Sequence, residues 1–204
     1  MSDTHSVSLT AFAGKQKIAT GTLHALAPTL KERVTREPDA QILIFNDSTG
    51  KQVDLNLHGS LAEVLQRLPA PRPDAGTGQA PDAPRTAGRP KLGVVAREVT
   101  LLPRHWEWLA SQPGGASVAL RKLVEQAQRD NRGADAQRQA RDAAYQFMSA
   151  LAGDEAGFEE ASRALFAGRR DDFERQVQAW PADVREHVVM LAQTSWAVEV
   201  AAAN

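Results

Sequence analysis

An α+β fold is predicted by three features of this 204-residue chain. Residues 7–57 contain short runs in which apolar and polar side chains alternate with period two. Residues 69–90 are broken by proline and glycine, and from Pro103 onward apolar side chains recur at helical spacing. The expected organisation is a small α/β module over residues 1–68 and a disordered linker over 69–90. A basic strand–helix–helix segment over 91–132 and an all-helical domain over 133–204 follow.

In the first module Val7, Leu9 and Ala11 alternate with polar residues, and Ala13-Gly14-Lys15-Gln16 predicts a tight turn into a second strand over 18–22. Leu26, Leu30 and Val34 predict a helix over 23–36, on the condition that Pro28 occupies its first turn. Gln41 to Asn46 is an apolar run of the kind buried on both faces. Asp47-Ser48-Thr49-Gly50 turns it back into a fourth strand over 52–57, where Val53, Leu55 and Leu57 alternate. Ser60 is placed to cap a last helix carrying Leu61, Val64, Leu65 and Leu68. This order, strand, strand, helix, strand, strand, helix, resembles the β-grasp or ubiquitin-like arrangement. Residues 1–68 hold seven basic and seven acidic side chains, so no charge bias marks a partner, and the module reads as a scaffold or protein-contact element.

Residues 69–90 contain six of the eleven prolines and three glycines, a composition that cannot build a packed core and predicts an extended linker. The glycines of GTGQAP lack the spacing and the strand-to-helix setting of a nucleotide loop. Gly88-Arg89-Pro90-Lys91 resembles the core of the AT-hook, a minor-groove reader, but it is read as a plain linker end ahead of that.

Positive charge collects at the centre. Between Arg85 and Arg132 stand nine Lys or Arg against four acids, a net of +5 in a chain whose total is −1. Val94, Val95, Val99, Thr100 and Leu101 favour a strand, and Pro103 suits the first turn of a helix bearing Trp106, Leu109 and Ala110. Pro113-Gly114-Gly115 stops that helix. Ser117 opens another, on which Leu120, Leu123, Val124 and Ala127 share a face.

Strand, helix, glycine turn and helix together resemble the ribbon-helix-helix family. The resemblance implies that two chains pair their strands into a ribbon that enters the major groove of duplex DNA. The ribbon would be Val95 to Leu101, and Gly115, Ala116 and Ser117 would present the phosphate-facing helix turn. With Val95, Arg97, Val99 and Leu101 on one strand face, the groove-facing set is Ala96, Glu98 and Thr100. Glu98 is unfavourable near phosphates but can accept from a cytosine amine. Arg89, Lys91, Arg104, Arg121 and Lys122 would neutralise phosphates. A solvated basic hairpin is the plain alternative.

In the last region Ala140, Ala144, Phe147 and Leu151 form one helical stripe, with Tyr145 and Met148 beside it. Gly153 and Asp154 are expected to break that helix and cap the next, which carries Phe158, Ala161, Leu165 and Phe166. Gly168 ends it, Asp171 caps a helix with Phe173, Val177 and Trp180, and Pro181 opens a last one with Val184, Val188, Leu191 and Trp196. Seven basic against twelve acidic side chains make this region negative, and acids on solvent faces account for it.

No constellation specifies a reaction. The chain has no cysteine, which excludes disulfides, thiolate catalysis and cysteine zinc sites. Its five histidines are scattered, so neither a metal nor another cofactor is expected. Gly115-Ala116-Ser117-Val118-Ala119 lacks the last glycine of a nucleophile elbow and follows a helix rather than a strand. Asp171-Asp172 and Glu159-Glu160 suit helix starts, and Trp106 and Trp108 are read as core side chains ahead of base-stacking ones. The N-terminus has no apolar signal region and no run suits a membrane span, so a cytoplasmic location is expected.

Taken together, Gly88 to Leu109, Gln112 to Ala127, Ala144 to Gly168 and Ala179 to Val188 resemble a bacterial family known as domain of unknown function 2239. That resemblance implies a bacterial, soluble protein and carries no activity. The expected function is a DNA-binding or regulatory protein acting as a homodimer. The alternative is a non-enzymatic adaptor that binds an unknown protein partner. No membrane association is expected.

Overall fold

The computed structural model describes residues 8–69, 95 and 97–196. Strand β1, Leu9–Ala13, and strand β2, Gln16–Gly21, form the expected hairpin across Gly14, whose φ of 55° suits glycine. Strand β3, Ile42–Asn46, pairs antiparallel on the other side of β1, giving the order β2-β1-β3. The central strand is buried on both faces because each face meets a different core. Leu9 and Ala11 point to one side with Ile44, and Phe12 points to the other with Phe45.

Helix α1, Leu23–Arg36, covers the first face with Leu26 and Leu30, and Thr22 caps it by accepting from the Ala25 N–H at 3.4 Å. Pro28 does not sit in the first turn as the sequence reading required; it lies inside the helix. Proline has no N–H to offer the preceding turn, and the helix persists because Leu26, Ala27 and Leu30 are fully buried around it.

The fourth strand expected over 52–57 is not formed. The chain turns back through bonds from Asn46 N–H to Lys51 O and from Val53 N–H to Ile44 O, and its only ladder contact among the described residues is a bridge between Phe45 and Gln52. Beyond it Val53, Leu55 and Leu57 keep their alternation by packing on the α1-side core, and Lys31 Nζ donates to Leu57 O at 2.9 Å. Helix α2, Leu61–Arg67, starts as expected at Ser60, which forms a reciprocal capping box with Glu63. The bonds from Ser60 hold the Glu63 carboxyl below its ordinary value.

The remaining helices are α3, Pro103–Ser111; α4, Gly115–Leu151; α5, Phe158–Phe166; α6, Arg170–Val177; and α7, Ala182–Ala192, followed by a 3₁₀ turn, Gln193–Trp196. With the three-stranded antiparallel sheet, these seven helices among the described residues make the chain α+β. Two caps differ from expectation. Asp154 stays in the turn before α5 and pairs with Lys15 at 3.2 Å, while Gly157, at φ 81°, occupies the cap position. Asp171 lies in the first turn of α6, whose cap is Arg169; there its charge still faces the positive helix end.

The chain divides into two units, one comprising Met1–Asp74 with Gly133–Asn204 and the other Ala75–Arg132. Where the sequence reading separated residues 1–68 from 133–204, the packing joins them. Phe12 and Phe45 from the sheet share a core with Phe147, Leu165, Phe173 and Val188. Phe147 lies 5.3 Å from Phe12 and 4.9 Å from Phe45, between ring centroids. Polar ties follow the same seam: Lys15 reaches Asp154 and Glu155, and the Lys17 N–H donates to Asp183 at 2.8 Å. Residues 70–94, which include most of the expected linker, lie outside the described residues.

Candidate nucleic-acid interface

The basic centre belongs to the second unit. Pro103 occupies the first turn of α3 as expected, after Leu102 in an extended conformation. On α3 the buried anchor is Leu109, whereas Trp106 and Trp108 remain 42% and 52% exposed, so the expected aromatic core is not formed among the described residues. Gly114 and Gly115 make the turn with φ of 87° and 75°. At Gly114 a methyl group would also stand 3.1 Å from the Val118 side chain, so both space and dihedral favour glycine.

Gly115, Ala116 and Ser117 form the first turn of α4, as the phosphate-facing assignment required. Arg121 and Lys122 are exposed one turn further on, with Arg121 Nε donating to Ser117 O at 3.2 Å. Arg104 is exposed on the first turn of α3. Glu98 and Thr100 are exposed in a segment, residues 97–102, that pairs with no strand among the described residues. Among the described residues, the expected strand over 95–101 is neither formed nor paired. Arg89, Lys91 and Ala96 lie outside the described residues. Between α3 and α4 a cleft of about 200 Å³ is lined by Trp108, Gln112, Pro113, Ala119, Lys122 and Leu123.

The feature that sequence reasoning missed is apolar exposure. Of the ten exposed large apolar side chains among the described residues, seven fall in this unit: Val95, Val99, Leu102, Trp106, Trp108, Leu123 and Val124. Leu123 and Val124 sit on the apolar helix face that periodicity marked, and everything from Arg121 to Arg132 is exposed. Periodicity carries no signal for it, because the same helical spacing marks a covered and an uncovered apolar face. The same unit carries Arg97, Arg104, Arg121, Lys122, Arg129 and Arg132.

Elsewhere, no group of three or more His, Asp or Glu among the described residues is placed to hold a metal ion. No described helix is long and apolar enough to cross a membrane. The family model described as an uncharacterised protein conserved in bacteria (DUF2239) matches residues 8–192. No curated protein and no solved structure matches the chain.

Proposed function

The chain belongs to this bacterial DUF2239 family, and we propose that it is a DNA-binding regulator that works as a dimer through residues 95–132. The observation that carries this reading is the coincidence of seven exposed large apolar side chains with six exposed or helix-borne cations in one short unit. Water-exposed apolar area of this kind marks an association surface. A second copy supplies a strand for the unpaired 97–102 segment and apolar faces for Trp106, Leu123 and Val124. The paired segments then form a ribbon presenting Thr100 and Glu98. The α4 N-terminus and Arg104, Arg121 and Lys122 contact the phosphate backbone. Arg89 and Lys91 extend the same basic run in the sequence.

A mobility-shift titration of a mixed pool of genomic duplexes tests it. Affinity falls steeply with salt because each neutralised phosphate releases counterions. Replacing Arg121 and Lys122 together by Ala weakens binding and makes the salt slope shallower by about two phosphates' worth. Thr100→Ala shifts sequence preference more than affinity. No shift at low salt would overturn the reading.

The exposure of Trp106 and Trp108 also favours a second reading, a protein-binding adaptor without DNA, since exposed aromatic anchors characterise protein interfaces. A monomer in solution that binds no duplex selects it.

A further inference from the structure

We propose that His187 and Asp47 form a proton-operated contact between the C-terminal helices and the sheet. The proposal does not depend on the DNA-binding reading. His187 on α7 is 4% exposed, and its ring lies 4.5 Å from Phe147 and 5.3 Å from Phe12, edge-on to both. Its Nε2 stands 3.5 Å from Oδ1 of Asp47, in the turn after β3. Both atoms are buried and neither makes a hydrogen bond. The carboxylate is held in place from its other side: Ser8 Oγ donates to Asp47 Oδ2 at 2.6 Å, and the Asp47 N–H donates to Ser8 O at 3.0 Å.

The two facing polar atoms are buried without a bond, and a bare buried polar atom costs stability. The neutral ring carries one proton, which on Nε2 faces Asp47 Oδ1 across 3.5 Å; a second proton would make the ring a cation between Phe12 and Phe147, with only Asp47 to offset its lost hydration. The groups acting on the ring are few. Asp47 favours the proton from the turn, Lys17 opposes it from β2, and β1 and α4 present the rings of Phe12 and Phe147. On α7 itself Asp183 is engaged by the Lys17 N–H.

Burial holds His187 below the ordinary histidine value, with the Asp47 charge pulling the other way and Lys17 adding to the depression. The ring is therefore neutral at neutral pH. The unfolded chain takes up this proton more readily than the folded one. The corresponding contribution to stability is complete above about pH 6.5 and is lost as the pH falls from there toward the folded-state value. Acid thus places a charged ring at the seam where α7 meets the sheet.

The test is NMR titration of the histidine rings in the full chain from pH 8 to pH 4.5, with His187 assigned through its contacts to Phe147. The expected midpoint lies below about 6.5 and moves lower still in Asp47→Asn, which removes the charge that favours the proton. His187→Gln lessens the fall in melting temperature between pH 7 and pH 5. A midpoint at the ordinary value, or one that Asp47→Asn leaves in place, would overturn the proposal. If His187→Gln does not fold, the comparison of wild type with Asp47→Asn decides alone.

Discussion

Gly50 backs onto Ala143 so closely that a methyl group on its α-carbon would stand 1.9 Å from the Ala143 carbonyl oxygen. Gly50 also has a φ of 67°, which side-chain-bearing residues seldom adopt. The turn after β3 can therefore lie against the backbone of α4 only with glycine at this position. Gly50→Ala is expected to cost about 3 kcal/mol, from the left-handed conformation and the overpacking together. Urea unfolding measures it, and a loss below about 1 kcal/mol would show that the turn moves away freely.

Phe147 is the ring that joins the sheet to the helices, touching Phe12, Phe45 and His187. Phe147→Ala is expected to destabilise by about 3–5 kcal/mol. Because one core serves both parts, amide exchange in β1 and in α7 should accelerate together. Protection lost in α7 alone would mean that the sheet holds itself up without the helices.

Pro28 interrupts the hydrogen bonding of α1 from an exposed position. Pro28→Ala restores a donor to the preceding turn and should raise stability by about 1–3 kcal/mol. Thermal unfolding would show the increase. A decrease would mean that the restriction proline imposes on the unfolded chain outweighs the missing bond.

Leu123 and Val124 are half-exposed neighbours on a basic helix, at 49% and 53%. If a second copy covers them, light scattering gives a dimer at micromolar concentration, and the Leu123→Glu, Val124→Glu double variant gives a monomer with unchanged far-UV circular dichroism. A wild-type monomer removes the ribbon, because an unpaired strand cannot form it.

Local signals were legible where a residue acts on its own neighbours. The hairpin at Gly14, the Ser60 cap and Pro103 at the start of α3 all follow from backbone chemistry over a few residues. Pro28 shows the limit of that logic. Local rules place it in a first turn, and burial of Leu26 and Leu30 carries the helix past it. The basic candidates were legible as charge, yet whether Trp106 or Leu123 meets protein or water depends on which layers exist to cover them.

By itself the sequence determined the α+β class, the starts of α2 and α3 and the concentration of cations between Arg85 and Arg132, because periodicity, caps and charge are properties of short stretches. Only the tertiary structure decided that Phe12 and Phe45 share a core with Phe147, more than a hundred residues away in the chain, across what reads as a domain boundary. It also set His187 against Asp47 and left the apolar stripe of α4 uncovered. Apolar burial is non-directional, so a sequence shows that a face must be covered but not which distant face covers it.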